Sequence, residues 1–137
     1  MNPITSYLEL AIKKNASDIH LVGGEIPMLR IQGELVEIEN APLAVEALEK
    51  EIFSLLTPEQ KKRFETDWEL DVGYGVGEAR FRINVHRQEG RIGLSARLIP
   101  KQIPNPDELR FEPMLEELPN LLDGLVLVVG PTGHGKS

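Results

Sequence analysis

Two groups of residues in this 137-residue chain have the types and spacing to handle phosphate. The first is Gly130-Pro131-Thr132-Gly133-His134-Gly135-Lys136-Ser137, a full match to the pattern G-x-x-x-x-G-K-[ST]. In such a loop the glycines let the chain fold back so that successive backbone N–H groups converge on an anion. Lys136 then reaches the outer phosphates and Ser137 ligates a magnesium ion. The apolar run Leu125 to Val129 reads as a short buried strand leading into the loop, which is the context the pattern requires. The helix whose N-terminus should complete the cradle would lie past Ser137, so the expectation is of a domain that ends where a catalytic domain begins.

The second group is Arg80, Arg82 and Arg97. Ala79, Phe81, Ile83 and Val85 alternate with Arg80, Arg82, Asn84 and His86, and after Glu89-Gly90 the residues Ile92, Leu94, Ala96 and Leu98 alternate with Arg91, Ser95 and Arg97. The pattern is a hairpin with one apolar and one basic face. Cross-strand partners share a face. The apolar residues are odd-numbered in the first strand and even-numbered in the second, so an odd position must pair with an even one. A two-residue Glu89-Gly90 turn then sets Phe81 opposite Leu98, Ile83 opposite Ala96 and Val85 opposite Leu94 on the core side. On the other side it sets Asn84 opposite Ser95 and Arg82 opposite Arg97. Two facing arginines repel, by up to about 1 kcal/mol. Either an anion lies between them, for which the guanidinium fork is suited, or Glu69, Asp71 or another local acid neutralises them.

Two further polar features stand upstream. Asp18 and His20 share one face of a strand predicted over Ala16–Val22; they are either an acid–base pair or a polar pair fixing a turn and its neighbouring backbone. Arg30, among apolar neighbours, is either a snorkelling edge residue or a member of the phosphate-facing set.

The elements that must position these residues follow from periodicity and punctuation. A helix is expected over residues 3–14, with Ile4, Leu8, Ala11 and Ile12 on one stripe, Pro3 in the first turn, Lys13 and Lys14 at the negative end of the dipole, and Asn15 left-handed behind it. Strands over Pro27–Ile31 and Glu34–Glu39 join at Gln32-Gly33. A helix over Pro42–Leu56 buries Val45, Leu48, Ile52 and Leu55. Thr57-Pro58-Glu59-Gln60 opens another by a capping box, whose Phe64 and Trp68 return to the core. From Trp68 the period becomes two, with Trp68, Leu70, Val72 and Tyr74 on one face. Lys101–Pro106 is a linker, Pro106–Leu109 adds a turn, and Glu112–Leu118 forms a short helix with Met114, Leu115 and Leu118 inward.

Composition narrows the class. With 41% hydrophobic residues the chain has enough apolar surface for one core. It has no cysteine, which suits a reducing compartment such as the cytoplasm. A net charge of −7 argues against a general nucleic-acid surface. The run Leu121–Val129 is broken by Asp123 and falls far short of the ~20 residues that span a bilayer, so no direct membrane insertion is expected.

Four landmarks stand in order: ASDIH (16–20), PMLRIQGEL (27–35), ARFRIN (79–84) with ARLIP (96–100), and GPTGHGKS (130–137). Together they resemble the secretion and type IV pilus motor ATPases, most nearly those of the pilus retraction type. The resemblance implies an α+β, PAS-like domain with a mostly antiparallel sheet packed by helices (1–100), a linker with a short helix (101–123), and the first strand and phosphate loop of a truncated RecA-like domain (124–137). It further implies a homo-hexamer that uses ATP and Mg2+, acts through a pilus platform protein of the inner membrane, and brings the arginines of its N-terminal sheet, here Arg80, Arg82 and Arg97, toward the nucleotide's phosphates at the domain interface. His134 stands where the family usually has serine. The other functions to weigh are pilus assembly or type II secretion, and a stand-alone PAS-like interaction module. The 137 residues alone are expected to be inactive.

Overall fold

The computed structural model describes residues 3–101 and 105–130. It divides into two compact units, Met1–Lys101 and Gln102–Ser137. The first contains α1 (Pro3–Lys13), β1 (Asp18–Val22), β2 (Met28–Ile31), β3 (Glu34–Glu37), α2 (Val45–Leu55), α3 (Pro58–Asp67), β4 (Glu69–Val76), β5 (Ala79–Gln88) and β6 (Arg91–Ile99). The strands form one six-stranded sheet in the order β3-β2-β1-β6-β5-β4, and every neighbouring pair is antiparallel. The two three-stranded meanders therefore meet along β1 and β6, so the first of these six strands lies beside the last.

Alternation decides what each strand buries. Ile19, Leu21, Leu29, Phe81, Ile83, Val85, Ile92, Leu94 and Ala96 are buried with Ile4, Leu8 and Ala11 of α1, Leu48 and Ile52 of α2, and Phe64 of α3 in one core. Removing a side chain of the size of Phe81 from water contributes about 2–3 kcal/mol, which over this set dominates the energetics of the fold. Arg87, on the same face of β5 as Val85, closes the rim: it donates to Glu49 of α2 at 2.7 Å and lies 5.7 Å from the centre of the Phe64 ring.

Local chemistry fixes the joints. Thr57 and Gln60 form the predicted reciprocal capping box, with Pro58 starting α3. Asn15 is left-handed behind α1, with φ of 52°. The β2–β3 and β5–β6 turns have left-handed values at their two central residues, Gln32 (52°) with Gly33 (88°) and Glu89 (51°) with Gly90 (77°). That is the backbone of a two-residue turn whose twist matches the strands it joins. The β5–β6 register places Phe81 opposite Leu98, Ile83 opposite Ala96, Asn84 opposite Ser95 and Arg82 opposite Arg97, as parity requires.

Three expectations are corrected. Trp68 neither starts β4 nor enters the core; it caps α3 in a left-handed conformation with φ of 60° and is 63% exposed. Ending a helix with its amide bonded to the Phe64 carbonyl turns the indole outward, and the strand begins one residue later. In the second unit, α4 (Pro113–Glu117) runs into a 3-10 turn, Leu118–Asn120, yet Met114 and Leu115 are exposed rather than inward. Leu125–Val129 forms no strand, and all five side chains are exposed. A strand is stabilised by ladder partners, and this segment has none among the described residues.

Candidate phosphate-facing site

On the face of the sheet opposite the core, register builds a transverse row of charge. Arg82 of β5 stands opposite Arg97 of β6, Arg97 opposite Asp18 of β1, and Asp18 opposite Arg30 of β2. The row thus reads plus, plus, minus, plus over four consecutive strands. Arg97 Nε donates to Asp18 Oδ1 at 2.8 Å. Arg30 Nε lies 3.8 Å from Asp18 Oδ2, and its Nη1 donates to the Gly33 carbonyl at 2.9 Å. Asp18 also accepts from the Ser17 hydroxyl at 2.9 Å. Asp71 of β4, opposite Asn84, reaches Arg82 from one pair along, accepting from Nε at 3.4 Å and Nη2 at 3.2 Å. Gly73, the residue directly opposite Arg82, leaves that end of the row without a side chain.

The facing arginines are therefore each met by a carboxylate, Asp71 for Arg82 and Asp18 for Arg97. Local acids offset the repulsion, so repulsion alone does not call for an anion. The side chains of Arg82 and Arg97 nonetheless remain 70% and 71% exposed. Exposed guanidinium groups side by side fit a phosphate's several oxygens. With Asp18, Asp71, His20, Asn84, Ser95 and Glu69, whose carboxylate accepts from Asn84 Nδ2 at 2.9 Å, they line a shallow depression of about 320 Å³.

Charge states follow from these contacts. Burial acts to raise the Asp18 pKa, but the hydrogen bonds from Arg97 and Ser17 outweigh it and hold the carboxyl below its ordinary value. The Arg82 hydrogen bond likewise lowers Asp71, and Asp71 raises Arg82. His20 is lowered chiefly by burial, against the pull of Asp18 and with added repulsion from Arg30, His86 and Arg97. Its Nδ1 sits 3.3 Å from Ser95 Oγ, while Nε2 is buried with no partner among the described residues. Asp18 and His20 are not hydrogen-bonded to each other: the arginines take one and Ser95 the other. Both make their contacts with side chains rather than with a turn or its backbone.

Arg80 lies one pair further along, opposite Ile99 and Gly75, exposed and in no ion pair among the described residues. Arg30, left open by sequence, joins the row through pairing of β1 with β2. Asp18 as the row's carboxylate was not foreseen, because its partner Arg97 is 79 positions away and only the β1–β6 pairing brings them together. Of the phosphate loop, Gly130 is described, whereas Pro131, Thr132, Gly133, His134, Gly135, Lys136 and Ser137 lie outside the described residues. Among the described residues no group of three or more His, Asp or Glu side chains could hold a metal ion, and no helix is long and apolar enough to cross a membrane.

No protein-family model matches the chain. It is 37% identical over 135 residues to the type IV pilus retraction ATPase PilT of Pseudomonas aeruginosa, covering 98% of this chain and 39% of that protein. It is 29% identical over 131 residues to the type IV pilus ATPase PilU of the same organism, covering 95% of this chain and 34% of the relative. Among solved structures, the pilus retraction motor PilT with bound ADP superposes with a TM-score of 0.79 at 35% identity over 97% of this chain and 39% of that one. The Legionella pneumophila ATPase DotB does so with 0.69 at 26% identity, over 85% of this chain and 35% of that one. The chain thus spans between a third and two-fifths of the length of these relatives.

Proposed function

We propose, on its 37% identity to PilT over 98% of its own length, that the chain is the N-terminal part of a hexameric motor ATPase that powers pilus retraction. Its sheet is the PAS-like domain of that motor. The open face of the sheet contributes Arg82, Arg97 and Arg80 to the nucleotide site at the domain interface, and the pattern Gly130–Ser137 contributes the phosphate loop. ATP is the nucleotide; Lys136 would hold its outer phosphates and Ser137 its Mg2+. When bound, the metal would neutralise charge that develops on the phosphates, a task the arginines would share. The protein works in the cytoplasm against an inner-membrane pilus platform.

The observation that supports this most is the juxtaposition of Arg82 and Arg97 on directly paired positions, with exposed side chains on the face that the helices leave open. An arginine that stabilises phosphoryl transfer supplies roughly 10³-fold or more. In a protein carrying this chain followed by a complete ATPase domain, Arg82→Ala or Arg97→Ala is expected to lower kcat for ATP hydrolysis by about that factor with the fold retained. Normal hydrolysis by both variants would reduce the arginines to surface charge. The 137 residues alone are expected to show no turnover. A second reading within the superfamily is a pilus assembly or type II secretion ATPase; a gene deletion that leaves pili assembled but unretracted would favour the first reading over it.

A further inference from the structure

The two carboxylates that meet the arginines are not equivalent. Asp18 has a side chain only 13% exposed, is tied to the Ser17 hydroxyl, and stands between Arg97 and Arg30. It engages Arg97 through Nε alone, leaving both Nη groups with no hydrogen-bond partner among the described residues. Asp71 has a side chain 49% exposed, sits on the outermost strand, and engages Arg82 through Nε and Nη2 together. One arginine is thus gripped by its base with its tip free, and the other has one edge of its fork already occupied.

Resting on the phosphate-site reading above, we infer that Asp18 and Asp71 are positioning residues of opposite effect. Asp18 aims Arg97 at incoming phosphate, whereas Asp71 competes with phosphate for Arg82 and must be displaced. Holding a long side chain in its bound geometry beforehand removes an ordering cost at binding, so loss of Asp18 weakens phosphate binding by about two- to ten-fold. An exposed ion pair is weak, so loss of Asp71 strengthens binding by about two- to five-fold. The opposite signs matter because each Asp→Asn change removes one negative charge. Long-range electrostatics alone would tighten the binding of an anion in both variants.

The test is a titration of the 137-residue chain and its variants with inorganic tripolyphosphate, followed by the Nε–Hε resonances of Arg82 and Arg97. Tighter binding by Asp71→Asn together with weaker binding by Asp18→Asn is the expected result. Should Asp18→Asn fail to fold, Asp18→Glu asks the same question, because it keeps the charge and moves the carboxylate away from the Arg97 Nε–H it holds; it too should bind more weakly. If Asp18→Asn binds more tightly, or Asp18→Glu binds as well as the unmodified chain, Asp18 is only a nearby charge and the inference is overturned while the phosphate site stands. If tripolyphosphate moves neither arginine resonance in the unmodified chain, the phosphate site and the inference fail together.

Discussion

The two faces of the sheet are built from the same strands and obey different rules. On the helix-packed face, Phe81, Ile83, Val85, Leu94 and Ala96 are buried to within about one per cent exposure, and their identity is fixed by volume and by exclusion of water. On the open face, Arg82 is held by Asp71 and Arg97 by Asp18, with both guanidinium groups in contact with solvent, where each ion pair stabilises little. The core and the proposed phosphate-facing row thus occupy alternate residues of one backbone, so a change on either face should move one property and leave the other.

The largest effect that can break this separation is expected at the core face. Phe81→Ala should cost about 3–5 kcal/mol of folding stability, read as a shift of the denaturant midpoint, while Arg82→Ala leaves the midpoint where it was. If the arginine variant unfolds as readily as the phenylalanine variant, the open face is structural and the comparison fails. A smaller effect sharpens the role of the turn that joins both faces. Glu89 is left-handed, a conformation asparagine adopts at lower cost, so Glu89→Asn should raise stability by about 0.5 kcal/mol; a loss would show that the turn is held by something other than local conformation. The smallest effect is a titration. Burial depresses His20 below its ordinary value of 6.5, so the unfolded chain binds the extra proton first. The stability His20 contributes is therefore complete above pH 6.5 and lost as the pH falls through the lower, folded value. Melting temperature should decline over that window in the unmodified chain and decline less in His20→Asn.

What could be read from sequence divides along the same line. Alternation, a two-residue turn and parity were enough for the β5–β6 register down to Arg82 opposite Arg97, because every fact involved lies within twenty residues of chain. The capping box at Thr57 and the left-handed Asn15 were legible for the same reason. The carboxylates that neutralise the arginines were legible only in part: Asp71, on the strand next to β5, stood among the foreseen acids, whereas Asp18 depends on β1 pairing with β6 across most of the sequence. Trp68 was misplaced because alternation extended backward from Leu70 counts it as a strand residue, while the helix before it needs a left-handed terminator. Leu125–Val129 has the composition of a strand, but composition supplies no neighbour to pair with.

The turn at Glu89-Gly90 also restricts how this chain can vary in length. Residues of one hairpin strand face the core at odd positions and of the other at even positions, and the two-residue turn is what aligns them. A single inserted or deleted residue in the turn would set core residues of β5 against outward residues of β6, pairing Phe81 with Arg97 or Ile99 and separating Arg82 from Arg97. Length changes there should survive selection only in steps of two or when a bulge absorbs the odd residue, so the arginine pair is protected by the frame of the hairpin as well as by its own identity.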